Sequence, residues 1–99
     1  MAVVEVSIIP LGVPGSSLSG HVARVLKVLK DSLLQFELTA MGTNVEGNLK
    51  KLIKIVLRMH EVPFKKGAPR VLTTLKIDDR RDKKGTLSGK KNSVQSKLK

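Results

Sequence analysis

The sequence predicts an α+β domain with the element order βαββαβ, and three observations support this prediction. Three segments alternate apolar and polar residues, which is the period of a strand with one buried face. Two intervening segments carry apolar residues at three- and four-residue spacing, which is the period of an amphipathic helix. The chain has 99 residues, enough for one domain with one core and too few for two.

The alternating segments place the predicted strands at residues 3–9, 34–41 and 70–78. A turn at residues 42–44 and a short strand at 45–47 would complete a hairpin with the second of these strands. Residues 10–17 are rich in Pro, Gly and Ser and are predicted to form a loop that ends in helix-capping hydroxyls.

Each predicted helix has one apolar stripe that would face the sheet. In the first helix the stripe comprises Leu18, Val22, Val25, Leu26, Leu29 and Leu33. In the second helix it comprises Leu49, Leu52, Ile53, Val56, Leu57 and, at its edge, His60. Asn48 is suited to cap the second helix, which is predicted to end near Pro63.

The order βαββαβ is that of the ferredoxin-like fold, in which two helices cover one face of a four-stranded antiparallel sheet. Residues 1–79 are assigned to this sandwich. Residues 80–99 are predicted to form a basic linker and a short C-terminal helix, packed on the same domain or on a partner subunit.

The sheet face turned away from the helices is here called the open face. It is predicted to comprise Val3, Glu5, Ser7, Ile9, Gln35, Glu37, Thr39, Met41, Asn44, Glu46, Leu72, Thr74, Lys76 and Asp78. Four of the eight carboxylates lie in this set although the net charge is +11. Ionised carboxylates only accept hydrogen bonds, so this face favours a cation or a ligand rich in N–H donors.

The interleaved apolar residues of the open face favour pairing of two sheets in a dimer that encloses a pocket. The alternative is an ordinary solvated face, in which Glu5 and Glu37 pair with Lys76 across the strands.

Several kinds of site are not expected. The absence of cysteine excludes disulfides, thiolate metal sites and cysteine nucleophiles. His21 and His60 lie on different predicted helices without metal-binding spacing, and the charged run at 78–82 is predicted to be a self-neutralising turn. No catalytic residue, metal or cofactor is therefore expected. The N-terminal segment has no features of a signal peptide, so the cytoplasm is the expected location and no membrane partner is expected.

The strong positive charge suggests nucleic acid as an alternative partner. Nine of the nineteen basic residues lie between Lys76 and Lys99, however, and many of the others lie along the polar sides of the predicted helices. The chain also has only two aromatic residues for stacking on bases. A basic nucleic-acid-associated domain is kept as the main alternative function. An enzyme that uses the carboxylate cluster as general acid or base is a second alternative.

Three segments resemble the thiamine-binding protein family: EVSIIPLG at 5–12, ELTAMGTNVEG at 37–47 and KIDDRRDK at 76–83. The resemblance spans nearly the whole chain, and its most specific part is the MGT…EG element. It implies ferredoxin-like domains that pair their sheets, assemble as a tetramer that is a dimer of dimers, and bind thiamine or its hydroxymethylpyrimidine half without catalysis. One departure is Ala40, where the family usually has proline.

Carried onto this chain, the resemblance implies a ligand site of Ser7, Met41, Gly42, Thr43, Glu46 and Asp78 or Asp79. We add Ile9 to this predicted site, with Asp78 as the second carboxylate. Thiamine joins a cationic thiazolium to an aminopyrimidine, which suits carboxylates, hydroxyls and an apolar slot. We expect the two carboxylates to accept from the amino group or balance the charge, and the two hydroxyls to form hydrogen bonds. Met41 and Ile9 would flank the ring, and Gly42 would permit close approach. Both phenylalanines are predicted to occupy core positions, so no aromatic sandwich is expected.

Overall fold

The structure is a computed structural model that describes residues 1–13, 19–82 and 98. Its elements in chain order are β1 Ala2–Leu11, α1 Ser19–Ser32, β2 Gln35–Leu38, β3 Thr43–Gly47, α2 Leu49–Lys65 and β4 Arg70–Asp79. The four strands form one antiparallel sheet in the order β2-β3-β1-β4. This arrangement confirms the predicted ferredoxin-like α+β fold.

The core lies between one face of the sheet and the two helices. Val4 and Val6 of β1 and Val45 of β3 are buried together with Leu29 of α1 and Leu52 of α2. The alternation of β1 therefore predicts its buried face correctly, because the period of side chains along a strand is two. The opposite parity of the same strands forms the open face.

Strand β1 is longer than predicted. Pro10 and Leu11 were assigned to a loop, yet they continue the strand and lie opposite Val71 and Arg70 of β4. The prediction failed because Pro and Gly signals are local, whereas β4 supplies a pairing partner for each added residue. Residues 14–18, which include the predicted capping serines, lie outside the described residues.

The β2–β3 hairpin turns earlier than predicted. Strand β2 ends at Leu38 and β3 begins at Thr43, so the predicted strand 34–41 and turn 42–44 are both wrong. The Thr39 backbone N–H donates to the Gly42 carbonyl over 2.8 Å, and the Thr39 hydroxyl accepts from the Gly42 N–H over 3.1 Å. These local hydrogen bonds replace the bonds between strands at residues 39–42. The chain therefore turns there, although the alternation of apolar and polar residues continues to residue 41.

Two stripe assignments on the helices are also wrong at their ends. Helix α1 ends at Ser32, and Leu33 is 90 % exposed with a φ of 63°. In α2 the buried face comprises Leu52, Ile55, Val56, Met59 and Pro63. Leu57 was assigned to this stripe but is exposed, because it lies about 140° around the helix from Leu52, whereas Met59 lies on the buried side.

Both ends of α2 agree with the prediction. The Asn48 side chain accepts hydrogen bonds from the backbone N–H groups of Lys50 and Lys51, which confirms the cap. The helix continues through Pro63 to Lys65, since Pro63 packs into the core in the last turn. Phe64 is exposed, so its predicted core position is wrong.

The charged run after β4 is self-neutralising, as predicted. Arg80 pairs with Asp82 over 2.6 Å and Arg81 pairs with Asp79 over 2.8 Å. The hydrogen bond from Arg81 to Asp79, together with the carboxylate charge, raises the pKa of the Arg81 guanidinium. The predicted basic linker and terminal helix fall on residues 83–97 and 99, outside the described part. No helix among the described residues is long and apolar enough to cross a membrane.

We expect Leu52→Ala to lower the free energy of unfolding by about 2–5 kcal/mol, because its fully buried side chain leaves a cavity when removed. Leu57→Ala is the matched control on the same helix: its side chain is 61 % exposed, and the change should be less than about 0.5 kcal/mol. Urea denaturation measures both. Equal losses in the two variants would contradict this placement of the buried stripe.

Candidate functional site

The strand register gathers the four carboxylates of the open face into two neighbouring rows. In the first row Glu46 and Asp78 lie on either side of Val3. In the second row Glu5 lies between Asn44 and Lys76, and Glu37 lies beyond Asn44. The predicted acidic cluster therefore exists, at the end of the sheet where β1 begins.

One ion pair of the predicted solvated alternative is also present. Lys76 Nζ lies 3.7 Å from Glu5 Oε1, and both side chains are substantially exposed. An exposed pair of this kind contributes about 0–1 kcal/mol. It holds the Glu5 carboxylate weakly, so a cationic ligand could compete for it.

A cavity of about 360 Å³ lies at the other end of the sheet. Its walls are β1 from Val6 to Ile9, the turn from Thr39 to Gly42 with Thr43, and one side of α1. The α1 wall comprises Val22, Val25 and Leu26, and Met59 of α2 also lines the cavity. The volume is at the small end of the range of about 300–1,000 Å³ usual for small-molecule sites.

The cavity exists because the strands beside β1 have unequal lengths. Strand β4 pairs with β1 from Ala2 to Leu11, but β3 pairs with it only from Ala2 to Val6. Beyond Val6, no described strand lies on the β3 side of β1. The turn and α1 enclose the space where a longer β3 would continue.

Gly42 allows the turn to approach β1 closely. A Cβ at this position would stand 3.0 Å from the Val6 carbonyl oxygen and 3.7 Å from Glu5 Cγ. The space that this glycine leaves is therefore filled by β1. The same contact places the stem of Glu5 beside the turn, so this carboxylate connects the acidic rows with the cavity.

Five of the seven predicted site residues line the cavity, namely Ser7, Ile9, Met41, Gly42 and Thr43. Met41 is 84 % exposed at the turn, and Thr43 is buried. Glu46 and Asp78 do not line it: their row passes through Val3, four residues from Ser7 along β1, or about 13 Å at the rise of a strand. Their contact with a ligand stays a prediction.

The hydroxyl groups that line the cavity differ in whether they are free to hydrogen-bond to a ligand. The Thr39 hydroxyl donates to the Gly42 carbonyl over 3.0 Å and accepts from the backbone N–H groups of Met41 and Gly42. Because this hydroxyl is committed to the turn, Ser7 and Thr43 are the hydroxyl residues best suited to bind a ligand.

The wall from α1 and Met59 was missed by sequence reasoning, which assigned these residues to the core or its edge. Apolar residues that line a cavity and apolar residues that fill a core have the same helical spacing. The available signal is that the predicted third strand, 45–47, is too short to cover the whole predicted first strand, 3–9.

The histidines show no sign of metal binding among the described residues, where no group of three or more potential ligands occurs. His60 Nδ1 is hydrogen-bonded to Thr73 Oγ1 over 2.6 Å, and its ring meets Phe64 edge to face. His60 therefore links α2 to β4, as expected for a residue at the edge of the core.

The fold and the cavity define a ferredoxin-like α+β protein with a space the size of a small molecule beside its central strand. The chain belongs to the thiamine-binding protein family, whose family model matches residues 4–95.

Relatives match over almost the full chain. The protein YqgV of Bacillus subtilis is 44 % identical and covers 99 % of this chain and 98 % of its own length. A protein of Methanothermobacter thermautotrophicus is 41 % identical, over 99 % of this chain and 100 % of its own. The crystal structure of the hypothetical protein MJ1052 from Methanocaldococcus jannaschii superposes with a TM-score of 0.85 at 39 % identity, covering 95 % of both chains.

We expect Gly42→Ala to lower the free energy of unfolding by about 1–3 kcal/mol, because the added methyl group forces the turn away from the Val6 carbonyl. Gly20→Ala in α1 is the control: a Cβ there meets nothing within 4 Å, and stability should rise by about 0.4–1 kcal/mol. Thermal denaturation followed by circular dichroism compares the two. A neutral Gly42→Ala would show that β1 tolerates a wider turn.

Proposed function

We propose that this protein binds thiamine or its hydroxymethylpyrimidine half, without catalysis, in the cavity beside β1. The observation that carries the proposal is that five predicted site residues, from two separate segments of the chain, line one cavity. Membership of the thiamine-binding protein family supports the same ligand.

The chemistry of the cavity suits a flat heterocycle. Its walls are mainly aliphatic, which favours burial of a ring, and the hydroxyl residues Ser7 and Thr43 supply polar contacts. None of the described lining residues titrates near neutral pH, so the cavity offers no side chain for general acid–base chemistry. This composition favours binding over turnover.

The positive charge of the thiazolium would be placed on the open face. Glu5 passes beside the turn at the cavity mouth, and its bond to Lys76 is long and exposed. With its pyrimidine in the cavity and its thiazolium above Glu5, thiamine would bury its neutral ring and place its positive charge beside a carboxylate. The carboxylates of Glu46 and Asp78 are too far along the sheet of the same chain to touch the pyrimidine.

We further propose that two open faces pair in a homo-oligomer, as the family resemblance implies, with a dimer of dimers as the full assembly. The open face exposes Leu72 and the adjacent hairpin turn exposes Met41, and pairing would remove this apolar surface from water. In such a dimer, Glu46 and Asp78 of one chain could reach a ligand held mainly by the other.

Isothermal titration calorimetry with thiamine and with hydroxymethylpyrimidine tests the ligand. Both should release or absorb heat with one site per chain, and Ser7→Ala should weaken binding about 2- to 10-fold through loss of one hydrogen bond. Thr74→Val is the control, because Thr74 lies opposite Ser7 on the open face but outside the cavity. Absence of heat with either ligand, beside tight and salt-sensitive binding to oligonucleotides, would favour the nucleic-acid alternative instead.

Glu46→Gln tests whether the acidic rows contribute to the same site. We expect thiamine affinity to fall about 5-fold, because a charge on the open face is removed, while sedimentation velocity shows an unchanged assembly. Glu61→Gln, which removes an exposed carboxylate on α2, should leave affinity unchanged. Equal affinities of Glu46→Gln and the parent protein would remove Glu46 from the site.

A further inference from the structure

The backbone of β1 faces the cavity in a defined way. A Cβ built on Gly42 would lie 3.0 Å from the Val6 carbonyl oxygen, so this carbonyl points toward β3 and the turn. Backbone N–H and C=O groups of one strand residue point to the same side, and the direction reverses at each residue. Because β1 keeps one continuous register with β4, the N–H and C=O of Ile8 point the same way as those of Val6.

Pro10 supports this direction independently. It lies opposite Val71 within the continuous β1–β4 ladder, yet proline has no N–H to donate. Proline is tolerated in a strand where its nitrogen faces away from the paired neighbour. Residues 6, 8 and 10 therefore turn their backbone groups away from β4 and toward the side that β3 leaves open.

Ile8 is the residue at which this open side meets the cavity. β3 pairs with β1 no further than Val6, and Ile8 lines the cavity. Its N–H and C=O lie next to each other at the position where a longer β3 would have formed a hydrogen-bonded pair. The cavity wall thus offers one donor and one acceptor side by side among aliphatic side chains.

We propose that the backbone of Ile8 is the element that recognises the aminopyrimidine, an inference that rests on the proposed function. The Ile8 carbonyl accepts from the exocyclic amino group, and the Ile8 N–H donates to the adjacent ring nitrogen. The ligand thereby takes the place of the missing β3 residue. Specificity is set by the donor–acceptor order of the ligand edge, and side chains of the cavity supply the apolar slot.

Ligand analogues test this pairing. Pyrithiamine keeps the aminopyrimidine and replaces the thiazolium by a pyridinium, so its dissociation constant should lie within about 3-fold of that of thiamine. Oxythiamine carries an oxo group in place of the amino group and a proton on the ring nitrogen. Its oxo group would therefore face the Ile8 carbonyl, and its ring N–H would face the Ile8 N–H. Calorimetry should show at least about 100-fold weaker binding of oxythiamine.

Outcomes of this series separate the two proposals. Equal affinity for thiamine and oxythiamine overturns the role of Ile8 and leaves thiamine binding intact. Absence of thiamine binding overturns the proposed function and this inference with it.

Amide hydrogen exchange followed by nuclear magnetic resonance tests the same contact without a substitution. In the free protein the Ile8 amide should exchange faster than those of Ser7 and Ile9, which point toward β4. Saturating thiamine should slow exchange at Ile8 at least about 10-fold and change Ser7 and Ile9 less. An Ile8 amide that is unaffected by saturating thiamine overturns the inference.

Ile8→Pro removes the N–H, replaces a side chain that lines the cavity, and uses a residue that β1 already accepts at the equivalent position 10. Thiamine affinity should be about 2- to 10-fold lower in Ile8→Pro than in Ile8→Val, which also shortens the side chain but keeps the backbone donor. Equal affinities for Ile8→Pro and Ile8→Val would contradict the donor role. If Ile8→Pro does not fold, the analogue series and the exchange measurement still decide the question.

Discussion

The unequal pairing of β1 with its two neighbours determines most of what is distinctive in this structure. β4 accompanies β1 for ten residues, whereas β3 accompanies it for five. A strand with one free side must expose backbone donors and acceptors unless something covers them. Here α1 and the hairpin turn enclose that free side without filling it. The cavity, and the hydrogen-bonding edge of Ile8 within it, both follow from this one difference in length.

The turn at Thr39 to Gly42 sets the point at which pairing stops. Thr39 binds the backbone of Met41 and Gly42 through its hydroxyl, so the chain reverses before the alternating pattern ends. Gly42 then lets the reversed chain touch the Val6 carbonyl. With a longer β2 and β3, the same apolar residues would pair across the gap and leave no cavity. The hydrogen bonds of Thr39 therefore help to determine that the cavity exists.

Charge is divided between the two sides of the sheet. The exposed cations of the helices lie on the side away from the open face, where Arg24, Lys27, Lys54 and Arg58 are all solvent-exposed. The carboxylates of the open face occupy two adjacent rows at the end of the sheet where β1 begins. The net charge of the chain therefore does not describe the charge of the open face. A cationic ligand can bind there although the chain as a whole is strongly basic.

Periodicity in the sequence determined the element order, the fold class and the buried parity of β1, because side-chain direction repeats every two residues in a strand. It also determined the open face except for Thr39 and Met41, which lie in the hairpin turn. Resemblance to the family brought together Ser7 and the Met41–Thr43 segment, which do line one cavity. Only the tertiary structure decided where pairing of β1 stops, that α1 forms a wall, and that Glu46 and Asp78 lie about 13 Å from Ser7 along the sheet. Register and strand length depend on contacts between distant segments, which no local pattern encodes.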